Sequence, residues 1–563
     1  MKKLFALGTI LIGCMLAFSQ EPEPDLRMEV AVEGYSDKYY VAATGDLGLV
    51  LYHQSDTTDE NKDPIWTFTK FTTDFIEIWK REAAVDKGLV YQREYFDGVA
   101  VHALFLPIKS RLKTRFQIIS LNAETGDIYS TEGVIPYKVK VNDFSVVKNM
   151  AYIGGETEMG KLEQIGRGAA VTAVFPIFLG ILQYNPKMVL MRSDIYQDKT
   201  LEEKFDYYKA SSVESLSPNE YARSMSVVIN HSPQRKKDKV YIKEYAQEKL
   251  IRNLEVNPKG ANRLLTGRIK HINREEFLII GTYAAPYFDQ KLGKRFGTWL
   301  THTKLEGEAQ GIYIAKFSYR SQKFIQYYNF SEFENFFEAY GKKVAEKVKK
   351  KASKRKKKAE KRAKKKKATK ELILEVSLLI HDIIETPEEY LLVAEAYYPV
   401  YQEMNSSFNP LSGETGYSRP GRGNVLLGYR YTHAITAGFD KFKGMMKWDN
   451  SFPIWNIMSD KLEQRVQVFH NEEDTTTTMI FNNEGLIQSR VVKGGEIIQS
   501  RKIKQVETEF MTDRIKEDYN SDIEYWYGNY FLAWGYEKIA KTDEKILSQE
   551  RRRHVFYFYK VAY

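Results

Sequence analysis

Three carboxylates and one run of lysines are the residues of this chain with the most direct chemical use. Asp382, Glu389 and Glu395 fall on stretches that read as neighbouring strands. Hydrolysis of a glycosidic bond needs only two carboxyl groups about 5–10 Å apart, so this trio is the candidate for an enzyme. The 38 Tyr, 31 Phe and 7 Trp would suit stacking on sugar rings, although β-structure also consumes aromatics in its core. Other chemistry is sparse. Histidines stand at 53, 102, 231, 271, 302, 381, 433, 470 and 554, with no two at a helical metal-ligand spacing. Asp56, Asp59, Glu60 and Asp63 lack the glycine and the spacing of a calcium loop, and read as a solvated turn. Gly421-Arg422-Gly423-Asn424 follows Ser418-Arg419-Pro420 and reads first as a turn. No nucleophile elbow, phosphate-binding loop or dinucleotide fingerprint occurs. Neither a metal site nor a cofactor is expected.

The lysines are concentrated. Residues 342–370 hold 18 Lys/Arg and two acids, a net +16, so a chain of net +10 is otherwise mildly acidic at −6. The candidate polyanion-binding residues are Lys349, Lys350, Lys351, Lys354, Arg355, Lys356, Lys357, Lys358, Lys361, Arg362, Lys364, Lys365, Lys366 and Lys367. Lysine dominance favours point-charge attraction to lipid phosphate, acidic polysaccharide or nucleic acid without sequence readout, because bidentate base recognition prefers Arg. The bland alternative is a solvated helical spur.

The elements that carry these residues follow from patterning. No Gly or Pro interrupts 342–385, and Ser331-Glu332-Phe333-Glu334 matches a capping box. Phe333, Phe336, Phe337, Tyr340, Val344 and Val348 then recur every three or four residues. This predicts a basic α-helix over 331–370, rooted by its aromatics and about 60 Å long. Elsewhere the chain repeats short apolar strands. Arg274 to Gly281 aligns with Pro387 to Ala394, and looser copies start at Asn149 and Asn529. A second pattern pairs Ile119-x-Leu121-Asn122 with Gly126-x-Ile128 and recurs from Ala315, Ala437 and Met479. Two inward residues, a short polar residue closing a turn, and a return strand describe a β-hairpin.

Repeated hairpins at intervals of 60–75 residues predict an all-β fold, a β-propeller of roughly seven blades with one long basic α-helical insertion. Blades occupy 28–330 and 371–563, and the strand-like end, Val555 to Tyr563, is placed to pair with the N-terminal strands. A pair of stacked β-sandwiches is the competing architecture. The run Leu121-Asn122-Ala123-Glu124-Thr125-Gly126 resembles the repeat of quinoprotein-type propellers, where a similar run turns between the outer strands of a blade. The resemblance implies a propeller. It carries no quinone chemistry, since the Trp that usually follows is absent.

Lys2 and Lys3, the apolar stretch from Leu4 to Phe18, and Ala17-Phe18-Ser19 read as a secretory signal peptide over 1–19. The rival reading takes Leu11-Ile12-Gly13-Cys14 as a lipobox, with Cys14 lipidated. Cleavage after Ser19 leaves no cysteine, so disulfides are excluded from the mature chain. The expectation is an exported protein, periplasmic or outer-membrane associated, that binds an envelope protein or glycan without catalysis. Its basic helix would contact anionic lipid or polysaccharide, with no sequence-specific role on nucleic acid. A glycoside hydrolase-like enzyme on the same scaffold is the alternative.

Overall fold

The computed structural model describes residues 25–33, 38–107, 114–135, 139–157, 188–197, 199–203, 211–232, 238–284, 309–338, 346, 350, 354, 376–403, 424–454, 457–510, 513–541 and 552–563. It is an all-β propeller of eight blades, each an antiparallel sheet with four main strands. Strand β1 (Leu26–Val32) belongs to the last sheet. Blade 1 is β2 (Tyr39–Ala43), β3 (Leu49–Thr58), β4 (Pro64–Phe71) and β5 (Glu77–Ala84). Blade 2 is β6 (Leu89–Phe96), β7 (Ala100–Pro107), β8 (Thr114–Asn122) and β9 (Ile128–Ile135). Blade 3 is β10 (Val139–Val147), β11 (Met150–Thr157), β12 (Met188–Asp194) and β13 (Lys199–Glu202). Blade 4 is β14 (Ser211–Asn219), β15 (Ser224–His231), β16 (Lys239–Ala246) and β17 (Lys249–Val256).

In blade 5 the first strand is split into β18 (Arg263–Leu264) and β19 (Arg268–His271), before β20 (Glu276–Ala284), β21 (Gly311–Ser318) and β22 (Ser321–Asn329). Blade 6 splits likewise into β23 (Ser377–Ile380) and β24 (Ile384–Glu385), followed by β25 (Glu389–Glu403), β26 (Asn424–Asp440), β27 (Met446–Pro453) and the short β28 (Met458–Ser459). Blade 7 is β29 (Gln467–Asn471), β30 (Thr476–Asn483), β31 (Leu486–Lys493) and β32 (Glu496–Gln505). Blade 8 is β33 (Asp513–Tyr527), β34 (Tyr530–Lys541), β35 (Arg552–Ala562) and β1.

The chain divides into two compact units. The smaller comprises residues 1–37, 482–487 and 503–563. Within it β1 pairs with β35 along its whole length, Leu26 opposite Lys560 through Val32 opposite His554, so the chain's end does pair with an N-terminal strand. Arg27 fixes that register from inside: its guanidinium lies 2.7 Å from Glu537 and 2.8 Å from Glu29.

The larger unit, 38–481 with 488–502, packs by the two-residue period of strands. On β7, Val101, Ala103 and Phe105 join a cluster with blade 1, while Leu104 and Leu106 join one with blade 3. On β20, Phe277 and Ile279 face blade 4, and Leu278 and Ile280 face blade 6. Middle strands are thus buried on both faces, and each fully buried aliphatic contributes roughly 1.5–3 kcal/mol. That is why these stretches read as continuous apolar runs. All four copies of the first sequence repeat are second strands of their blades: β11, β20, β25 and β34.

The hairpin repeat is more uneven. Three copies are turns between the third and fourth strands of blades 2, 5 and 6, whereas the copy from Met479 joins the second and third strands of blade 7. In the first and third copies Asn122 and Asp440 accept two backbone N–H groups each, and Gly126 and Gly444 take positive φ of 75° and 64°. These turns also dock neighbouring blades. Trp79 on β5 lies beneath Gly126 of the next blade, Phe324 on β22 beneath Gly444, and Trp448 on β27 beside Gly495. A Cβ on Gly444 would meet the Phe324 ring at 2.6 Å. The three aromatics hold the same place on their fourth strands, each just past a bulge. In blade 4 that place belongs to Arg252, whose guanidinium lies over the Phe277 ring at 5.5 Å.

Two expectations are corrected. The blades number eight, because a blade needs less chain than the repeat interval suggests: blade 1 spans 39–84 and blade 2 spans 89–135. The long helix is not supported at its expected start. Phe330–Glu332 is a 3-10 turn capped by Asn329 and Glu332, and Phe333 is extended. The backbone N–H groups of Glu334 and Asn335 bond the Asp449 carboxylate on β27 at 2.7 Å, a tertiary contact that diverts the first helical turn. Phe333, Phe336 and Phe337 are buried, as expected of a root, but in the cluster between blades 5 and 6. Of the remainder of 331–370 beyond residue 338, only Glu346, Lys350 and Lys354 are described, and these three are helical and exposed. Residues 1–19 lie outside the described residues.

Candidate functional site

The first strands of successive blades pack side by side from blade 1 to blade 5. Three of these strands are bulged at matching places, between Tyr91 and Arg93, Val141 and Asp143, and Val213 and Ser215. A bulge inserts one residue and re-aims the side chain after it. Here each re-aimed side chain reaches the next blade. Arg93 donates to the Asn142 carbonyl at 2.8 Å and lies 3.4 Å from the Asp143 carboxylate. The second oxygen of Asp143 accepts the Leu216 N–H at 2.8 Å, and Asn142 donates to the Val213 carbonyl at 3.3 Å. Ser215 donates to the Gly267 carbonyl at 2.9 Å, and Arg268 pairs with Asp382 at 2.9 Å. The belt runs from blade 2 to blade 6 without a gap.

It continues through Glu395. One oxygen of this fully buried carboxylate takes His381 Nε2 at 2.7 Å and the backbone N–H groups of Arg465 and Val466 at 2.8 and 2.9 Å. Blade 6 is thereby tied to the segment entering blade 7.

Charges from distant blades meet near the belt. Burial pushes the Glu94 carboxyl up to about 7; the Tyr52 hydroxyl and Lys461 act in the opposite direction, and Glu463 adds repulsion. Glu214, the inserted residue of β14, is pushed up to about 7 by burial against a hydrogen bond from Ser212, with Glu156 adding to the rise. Burial also raises the Tyr95 hydroxyl, which feels Asp97, Asp382 and Glu220. Tyr95, Asp382 and Glu220 belong to blades 2, 6 and 4.

The structure does not assemble the predicted carboxylate trio. Glu389 and Glu395 are six residues apart on β25, about 20 Å at 3.3 Å per residue. Glu389 accepts the Trp448 indole N–H at 3.1 and 3.2 Å, and Lys447 lies 3.6 Å away. Asp382 is exposed and paired with Arg268. Of the candidate polyanion residues, Lys350 and Lys354 are exposed, and Lys349, Lys351, Arg355, Lys356, Lys357, Lys358, Lys361, Arg362, Lys364, Lys365, Lys366 and Lys367 lie outside the described residues. So do His302 and Gly421 to Gly423. Among the described residues no group of three or more His, Cys, Asp or Glu could hold a metal. Asp59 accepts the N–H groups of Asn61 and Asp63, as a self-contained turn does. His271 and His433 are pushed down to about 3 by burial, which marks them as neutral core residues.

Arg93, Glu94, Asp143 and Glu214 were missed by sequence reasoning. Their signal was present but faint: Gln92-Arg93-Glu94 and Asn142-Asp143 break the alternation of otherwise apolar strands, as a bulge requires.

No family model and no curated protein matches the chain. Among solved structures it is similar to a europium-containing methanol dehydrogenase, at 7% identity and a TM-score of 0.40 over 95% of this chain and 92% of that one. A prolyl endopeptidase is matched at 7% identity and a TM-score of 0.35, over 90% of this chain and 54% of the other. A Mycobacterium tuberculosis puromycin-hydrolyzing peptidase is matched at 8% identity and a TM-score of 0.33, over 89% and 58%. The chain therefore spans little more than half the length of these peptidases.

Proposed function

We propose that this is a binding or scaffolding protein of the cell envelope, exported and non-catalytic, whose lysine-rich segment contacts polyanions such as anionic lipid or acidic polysaccharide. The commitment of the candidate carboxylates supports the non-catalytic part. Glu395 has one oxygen saturated by three donors and no exposure, Glu389 holds Trp448, and Asp382 holds Arg268. An acid–base pair must instead present two reachable groups at a fixed spacing. The lysine segment has the opposite character, since Lys350 and Lys354 are exposed.

A carbohydrate-active reading draws on Glu94, whose carboxyl is pushed up to about 7 by burial, toward the range a general acid uses. One comparison separates the readings. A chain lacking Lys349 to Lys367 should lose binding to a sulfated polysaccharide and keep its melting transition. Hydrolysis of a glycan library by the parent chain, abolished by Glu94→Gln, would overturn the non-catalytic assignment.

A further inference from the structure

In blades 5 and 6 the turns between third and fourth strands carry exposed side chains, and the two blades meet where Phe324 packs on Gly444. In blade 6 the turn is Lys441 to Met445. Asp440 accepts the N–H of Phe442 at 3.0 Å and of Lys443 at 2.7 Å, and the Gly444 N–H returns to the Asp440 carbonyl at 3.0 Å. The hairpin is also clamped from outside: Tyr328 on β22 donates its hydroxyl to the Gly444 carbonyl at 2.6 Å and accepts the Met446 N–H at 3.0 Å. This rigid tip presents Phe442 at 85% exposure and Met445 at 52%. The turn of blade 5 next to it presents Tyr319 at 61%, in a left-handed conformation with φ 55° and its hydroxyl on Glu275. Arg320, Lys323 and Lys443 on or beside the same turns are exposed, and the exposed Lys447 lies 3.6 Å from the Glu389 carboxylate.

We infer that this paired tip docks on an anionic phospholipid bilayer, with Phe442 and Met445 entering the headgroup boundary and the exposed cations meeting lipid phosphate. The patch is a convex protrusion, so it fits a deformable surface better than a pocket. Its cations complement anionic lipid, each contributing about 1 kcal/mol near such a surface. Burying an aromatic side chain at the boundary adds attraction of a kind that a soluble polyanion cannot supply. The inference is independent of the lysine-rich segment.

The test uses the full chain, so that the lysine segment contributes the same background in every variant. The probes are vesicles of phosphatidylcholine alone, the same vesicles with added phosphatidylglycerol, and dextran sulfate. Phe442→Ser is expected to weaken binding to the anionic vesicles about tenfold or more, the loss of one buried aromatic. Lys443→Glu should weaken the same binding, and Phe442→Trp should show a blue-shifted emission quenched by brominated lipid. Both serine and tryptophan variants should melt as the parent does, since residue 442 is exposed. The inference is overturned if Phe442→Trp binds without a blue shift, or if Phe442→Ser leaves vesicle binding unchanged. It is also overturned if Phe442→Ser weakens dextran sulfate binding as much as vesicle binding, which assigns the tip to polysaccharide.

Discussion

The inner and outer ends of the same blades meet the same demand, holding adjacent sheets together, by different chemistry. At the outer end an aromatic from one fourth strand fits beneath a turn glycine of the next blade, as Phe324 does under Gly444. At the inner end bulged strands throw Arg93, Asp143 and Ser215 across to the next backbone. The outer seam depends on shape, and the inner belt on directed hydrogen bonds, with Glu395 Oε2 left buried and without a hydrogen-bond partner. A belt of this kind is fragile where a partner is buried and tolerant where it is wet.

The largest effect is therefore expected at Glu395. Glu395→Ala strands two backbone N–H groups and His381 in a site with no exposure, and should cost about 3–5 kcal/mol in chemical denaturation. A loss below about 1 kcal/mol would show that the inner belt does not carry the blades. Next comes the outer seam. Gly444→Val combines left-handed strain with collision against Phe324, and should cost about 2–4 kcal/mol. If the added Phe324→Ala change does not recover part of that loss, the collision is not the cause.

Buried carboxyls and a buried lysine should also answer pH with opposite signs. Glu94 and Glu214 are held up near 7 from an ordinary 4.5, so the folded state binds more protons than the unfolded chain between those values. Their stabilising contribution is complete below about 4.5 and is lost as pH rises through 7. Glu94→Gln should flatten that decline in melting temperature. Lys70, buried on β4 with its ammonium 2.6 Å from Thr44, is pushed down to about 8 from 10.5. Its folded state favours the neutral amine, so stability should rise between about pH 8 and 10.5, and Lys70→Met should be the more stable chain below pH 8. The smallest effect is expected at Arg268. Its partner Asp382 has a side chain 84% exposed, and Arg268→Gln should cost less than about 1 kcal/mol in the same denaturation assay.

This contrast also explains what the sequence could reveal. The second strands are buried on both faces, so Phe277 to Ile280 and Tyr390 to Val393 announced themselves as apolar runs. The turns at Asn122 and Asp440 were legible because a short polar residue and a glycine have local causes. Trp79 and Trp448 were not, since the glycine that each packs against is 47 residues away along the chain in both cases, counted to Gly126 and to Gly495. The inner belt was hidden for a similar reason, because bulge residues look like ordinary breaks in alternation until neighbouring strands are aligned. The helix start at Ser331 failed because Asp449, more than a hundred residues away, captures its first amides. The carboxylate trio failed because Glu389 and Glu395 lie on one strand and not on adjacent ones.

The central claim is that the inner charges are spent within the fold and that the proposed polyanion contact belongs to the lysine segment, of which Lys350 and Lys354 are exposed. It is tested most directly by the salt dependence of binding to random-sequence duplex DNA, used as a plain polyanion. Each phosphate neutralised adds about −0.9 to the log–log slope, so six to ten engaged lysines should cost on the order of 10³–10⁵ in affinity between about 50 and 200 mM salt. The chain lacking Lys349 to Lys367 should show no measurable slope and an unchanged melting transition. A deletion that keeps the slope, or one that unfolds the propeller, would contradict the account.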